Sequence, residues 1–173
     1  MILGLIDKSI TAVKGRDALE LRRISSEAIN EAAIEQHREL ILLGLIDYAL
    51  SKILSKTHYE KVPEGFYEEI QKYLESAKTG GDENVLLNLE KIEDMVIKLD
   101  ESEGRYEDNL MEKARVKKAA KLYYSGLSLK RAAGLTGANP SDVLAFVGQS
   151  RIHEFRDEGP LSNRIKIARE VFE

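Results

Sequence analysis

Apolar residues recur at three- and four-residue intervals along almost the whole of this chain, and no stretch of useful length alternates apolar with polar positions. The first pattern lines one face of a helix; the second, which a half-buried strand needs, is missing. The predicted fold class is therefore all-α. With 3 prolines and 12 glycines, few points force a helix to stop. A length of 173 residues suffices for one ordinary domain, or for a helical body carrying a small appended module.

The stripes divide the chain into segments. A first helix is predicted over Ile2–Val13, closed by the polar KGRD that carries Gly15. Asp17 suits the N-cap of the next helical region, because its short carboxylate accepts from the free amides of a first turn. That region reaches Ser55 without proline, with Leu21, Ile24 and Ala28 on one stripe and Leu42, Leu45, Ala49 and Ile53 on another. EQHRE at 35–39 interrupts it, marking either the exposed middle of one helix about 60 Å long or a break between two. Pro63 is expected to open a helix bearing Phe66, Ile70, Tyr73, Leu74 and Ala77. TGGD at 79–82 ends it, with Gly80 and Gly81 as left-handed closers and Asp82 as cap of a helix lined by Leu86, Leu89, Ile92, Val96 and Leu99.

Charge then divides the chain in two. The whole carries a net charge of −4, but residues 1–110 hold 14 Lys and Arg against 23 Asp and Glu, and residues 111–173 hold 12 against 7. An acidic first part and a basic second part fit a protein of which only the second part meets phosphate. The polar DESEGRYEDN at 100–109 marks the boundary, giving an acidic helical body over 1–100, expected to be the dimerisation region, and a second unit over 107–173.

The second unit has its own local logic. A helix from about Glu107 to Ser125 buries Val116, Ala119, Ala120 and Tyr123, with Lys113, Lys117 and Lys121 on an adjacent face. Gly126 ends it, Ser128 caps a short second helix, and GLTGANP turns into a third, with Asn139 as cap and Pro140 in the first helical position. Two helices crossing steeply over a short turn need a small residue where they touch, a glycine-like turn and an apolar anchor. Ala133, Gly137 and Val143 supply these in order, with Leu129 and Phe146 filling the core.

SLKRAAGLTGANPSDVLAFV thus resembles the helix-turn-helix pattern of prokaryotic DNA-binding proteins over about residues 129–148. LYYSGLSLKRAAGLTG, residues 122–137, is similar to a run found in small archaeal and bacterial antitoxin-type regulators; the first hundred residues lie outside this likeness. The resemblance implies a DNA-binding transcriptional regulator or antitoxin-like protein, a helical bundle followed by a C-terminal helix-turn-helix, with the helix from Pro140 offered to the major groove of double-stranded DNA. Base edges would be met by Asn139, Ser141 and Gln149, phosphates by Lys113, Lys117, Lys118, Lys121, Lys130, Arg131 and Arg151. A homodimer is expected, because two half-sites multiply specificity.

Other features of the third helix oppose base reading. Leu144, Ala145 and Gly148 share its outer face, and Asp142 is more simply a partner of the helix dipole, worth about 0.3–1 kcal/mol. The alternative is a protein-interaction adaptor that uses this helix or the tail GPLSNRIKIAREVFE. There Leu161, Ile165, Ala168 and Phe172 form a stripe that either covers the protein's own core or docks on another polypeptide.

Enzymatic chemistry finds no support. Without cysteine there are no thiolate metal sites, nucleophiles or disulfides, which suits a reducing cytoplasm. His37, His58 and His153 lack the spacing of a zinc hydrolase, and Glu27, Glu31 and Glu35 lack the histidine a di-iron bundle places three residues on, so they read as a solvated acidic face. The glycines form no phosphate-binding loop, Tyr123 and Tyr124 lack the sheet of an RNA-recognition domain, and HEFRDE at 153–158 has no nucleophile beside it. We expect no catalysis, metal or cofactor. LILLGLI at 40–46 is far too short to span a bilayer, and MILGLIDKSI lacks the basic leader of a secretory signal.

Overall fold

The computed structural model describes residues 2–55, 62–79, 81–102 and 109–149, and their regular structure is helical throughout. The chain is all-α. Its helices are α1 (Ile2–Lys14), α2 (Ala18–Glu35), α3 (Arg38–Ser55), α4 (Phe66–Ala77), α5 (Asp82–Ser102), α6 (Leu110–Tyr124), α7 (Leu129–Thr136) and α8 (Pro140–Gln149). None of them is long and apolar enough to cross a membrane.

α3 is the axis of the molecule. Every residue from Leu40 to Ser51 is buried, as befits a helix that is apolar all round and wrapped by others. α1, α2, α5, α6 and α7 all pack on it, and α4 closes the far side against α1 and α5. The stripes read from the sequence supply this core, with Leu21, Ile24 and Ala28 from α2 and Leu89, Ile92, Val96 and Leu99 from α5.

The polar patch at 35–39 is a break between two helices. Gln36 takes the left-handed conformation, with φ 56°, and its amide closes α2 by donating to the carbonyl of Ala32. α3 begins two residues later, so α2 and α3 run antiparallel. They are in close contact at Gly44, where a Cβ would lie 2.9 Å from Ile29 Cδ1 and 3.3 Å from the carbonyl oxygen of Ser25. The Ser25 hydroxyl donates to the Gly44 carbonyl across the same contact, at 2.5 Å.

The predicted caps hold in part. Asp17 accepts from the amides of Leu19 and Glu20, as expected. Pro63, by contrast, does not begin a helix: it lies in a turn whose carbonyl accepts from Phe66, and Gly65, at φ 82°, precedes α4. Glycine is needed there because a side chain at that φ would be strained. Asp82 is the first residue of α5 and not its cap, and Gly81 supplies the carbonyl that Asn84 and Val85 donate to. Gly80 lies outside the described residues.

α5 extends to Ser102, and the Asp100 carboxylate accepts from the Leu110 amide at 2.7 Å, fastening the start of α6 to the end of α5. Leu110, Met111, Ala114, Leu122, Leu127 and Ala132 join the same core as α1–α5. A second, smaller cluster of Ala119, Ala120, Ala133, Ala138 and Val143 joins α6 to α7 and α8. α6 is therefore buried on two sides.

Candidate functional site

The α7–α8 corner is assembled from local signals. The Ser128 hydroxyl accepts from the Arg131 amide to start α7, and Gly137, left-handed at φ 72°, ends it by donating its amide to the Ala133 carbonyl. The Asn139 side-chain oxygen accepts from the Ser141 amide at 2.9 Å, and Pro140 is the first residue of α8. Ala133 is 2% exposed and Val143 fully buried, both in the small cluster that joins α6, α7 and α8. Leu129 and Phe146 pack against the same cluster.

Val143 is the only buried residue of α8. Phe146 and Val147 are half-buried, and the Tyr124 hydroxyl on α6 donates to the Val147 carbonyl at 3.4 Å. The rest of the helix faces outward. Asn139, Ser141 and Gln149 are exposed, as are Asp142, Ala145 and Gly148, and Leu144 is 57% exposed at the centre of the same surface.

The basic residues divide into two groups. Lys113 on α6 and Lys130 and Arg131 in the first turn of α7 are exposed, with Arg131 donating through Nε to the Gln36 side chain at 2.7 Å. Lys117, Lys118 and Lys121 turn instead toward α2 and α3, away from the α7–α8 corner. Their ammonium groups lie 5.7 Å from the Tyr48 ring centroid, 4.7 Å from it, and 3.2 Å from the Ser26 carbonyl, respectively. Lys118, expected to meet phosphate, is only 5% exposed and occupies the stripe of Met111, Ala114 and Leu122. Tyr123 is corrected from core to surface, at 37% exposed. Arg151, His58, His153 and the tail stripe lie outside the described residues.

Residues not singled out from the sequence complete this seam. Asp47 on α3 is fully buried; its Oδ2 accepts from Ser9 at 2.8 Å and its Oδ1 has no hydrogen-bond partner among the described residues. Burial pushes its carboxyl up to about 7, against the pull of Ser9 and of the Lys118 charge. Burial brings the Lys118 amine down to about 7, helped by repulsion from Lys121, Lys117 and Arg22 and opposed by Asp47. Cations also cluster on Tyr48: Lys52 lies 5.5 Å from the ring centroid, and the charge of Arg22 on α2 reaches the ring as well. Each such contact is worth about 0.5–2 kcal/mol, rising with desolvation. Asp47 alone, charged within LILLGLIDYAL, was the available signal; Arg22 offered none.

Two other features are chemically quiet. A cleft of 290 Å³ opens behind the corner, lined by Arg38, Leu45, Glu93, Arg115, Leu135 and Gly137. Its cations are matched, Arg115 to Glu93 at 2.8 Å and to Glu112 at 2.7 Å, and Arg38 to Glu90 at 2.9 Å. In the row Glu27, Glu31 and Glu35, burial and then its two neighbours raise the Glu31 carboxyl, and no acid or histidine cluster able to hold a metal occurs among the described residues. No protein-family model matches the chain, and no curated protein or solved structure matches it.

Proposed function

We propose that this chain binds duplex DNA as a helix-turn-helix regulator, α7 and α8 forming the motif and α8 entering the major groove. The observation that supports this most is the pairing of a closed corner with an open helix. Ala133 and Val143 are buried together on either side of the left-handed Gly137, while α8 commits a single buried side chain to the fold and leaves its outer face exposed. Lys130 and Arg131 stand exposed at the start of α7, where a helix N-terminus already favours phosphate. Asn139, just before α8, and Ser141 and Gln149 on it would hydrogen-bond base edges. The protein acts as a homodimer in a reducing cytoplasm, its acidic helical body pairing two copies so that two modules read two half-sites.

A second reading rests on Leu144. This exposed leucine beside Ala145 gives α8 an uncharged centre better suited to another polypeptide than to bases. Titration of labelled duplexes at two salt concentrations separates the readings. DNA binding should weaken steeply as salt rises, and Lys130→Glu with Arg131→Glu should weaken it further and reduce the salt slope by about 2. Absence of duplex binding at low salt ends the DNA reading; loss of a captured protein complex on Leu144→Asp then favours the adaptor.

A further inference from the structure

Many cations of this acidic chain are matched on its surface, as Lys8 is by Glu27, Arg16 by Glu68, Arg23 by Glu20 and Lys78 by Asp7. The seam where α6 lies on α2 and α3 is different. Lys117 and Lys118 from α6 lie over the Tyr48 ring of α3, the charge of Arg22 from α2 reaches both Tyr48 and Lys118, and none of the three has an ion pair among the described residues. Lys121, held by the Ser26 carbonyl, and Lys52, beside the same ring, lie along the same seam. The carboxylate within electrostatic reach, Asp47, is fully buried and spends one oxygen on Ser9, so it does not face outward as a counter-ion. Arg22 is exposed and Lys117 half-buried, which leaves both reachable without moving a helix.

We propose that this seam is an anion site, in which Arg22 and Lys117, backed by Lys118 and Lys121, bind a phosphoryl group. A phosphoryl group fits better than a single carboxylate because it brings more charge and more acceptor oxygens to several convergent donors. The planar guanidinium of Arg22 matches two of those oxygens at once, and the lysines act as point charges. The bound group would tie α6, and with it α7 and α8, to the α2–α3 pair. The site is separate from the α8 surface, and it stands whether or not α8 reads DNA. Its phosphoryl group is either that of a free phosphate compound or that of a nucleic-acid backbone.

Pyrophosphate is the probe, titrated calorimetrically into the full chain at constant ionic strength, with thermal melts recorded in parallel. The wild type should bind and melt higher with pyrophosphate. Arg22→Gln with Lys117→Gln should weaken binding about tenfold or more while melting as wild type in chloride, and Lys130→Gln with Arg131→Gln should bind pyrophosphate normally. Should the double variant melt lower in chloride, Lys117→Gln alone must still weaken binding. Competition by duplex DNA that the Arg22/Lys117 variant abolishes identifies the backbone as the source, and its absence identifies a free phosphate compound; both outcomes support the site. Undiminished pyrophosphate affinity in the Arg22/Lys117 variant, or no binding by the wild type at millimolar pyrophosphate, overturns it.

Discussion

Asp47 of α3 and Lys118 of α6 are both buried on packed helices, and each moves the other's ionisation against the effect of burial. The Asp47 carboxyl is raised from 3.8 to about 7, so the folded state prefers it protonated. Its contribution to stability is full below pH 3.8 and is lost as pH climbs to about 7. The Lys118 amine is lowered from 10.5 to about 7, so the folded state prefers it neutral. That contribution is full above pH 10.5 and is lost as pH falls to about 7. Together they cost most near neutrality, each limb being on the order of a few kcal/mol. Urea unfolding at pH 5, 7 and 9 should show Asp47→Asn losing the acid limb and keeping the alkaline one, and Lys118→Met the reverse. The double variant should be at least as stable as wild type at pH 7, by about 1–4 kcal/mol where apolar packing is good. Identical profiles for all four proteins would refute the assignment.

Gly44 sets the distance between α2 and α3. A methyl group there meets Ile29 Cδ1 and Cγ1 at 2.9 Å, and the Ser25 carbonyl behind them is backbone that cannot swing away. Gly44→Ala gains about 1 kcal/mol of helix propensity but overpacks the crossing by about 1–3 kcal/mol. A net loss is expected in denaturant titration, and Ile29→Val should recover part of it. A stabilised single variant would show that the two helices separate easily.

The two glycines of the corner should respond with opposite signs. Gly134 lies inside α7, is exposed, and a Cβ there meets nothing within 4 Å, so Gly134→Ala should stabilise by about 0.5–1 kcal/mol. Gly137 is left-handed at φ 72°, so Gly137→Ala should destabilise by about 1–2 kcal/mol. Differential melting of the two variants tests this directly; equal shifts would mean the turn does not hold its conformation in solution.

What was legible in the sequence follows the range of the interactions involved. Asp17, Ser128, Asn139 and Gly137 act within a few residues of themselves, and each cap or turn read for them is present. The stripes of α2, α3 and α5 needed only helical spacing. Gln36 was ambiguous because a left-handed non-glycine residue leaves no compositional mark, so the break could be located but not decided. Sequence reading sets Lys118 toward phosphate although it falls in register with Met111, Ala114 and Leu122. A lysine on an apolar stripe ordinarily extends its charge to water, and only the distant Asp47 and Tyr48 explain why this one does not. The seam with Arg22 joins residues from three helices, which no local pattern records.

Val143 and Leu144, adjacent on α8, divide folding from recognition. Val143 is fully buried in the small cluster that holds α8 to α6 and α7, so Val143→Ala should lower stability by about 1–2 kcal/mol and loosen α8. Leu144 is 57% exposed, so Leu144→Asp should change stability by no more than about 0.5 kcal/mol. Any effect of Leu144→Asp on binding then reports on the surface itself. If α8 lies in a groove, the added carboxylate repels phosphate and weakens duplex binding at low salt, with the deficit shrinking as salt rises. If α8 meets a polypeptide, the deficit persists at high salt, because what is lost is burial of an apolar side chain. Parallel titrations of wild type and Leu144→Asp at low and high salt measure that difference, and an unaltered affinity in both would exclude α8 as the contact surface under either reading.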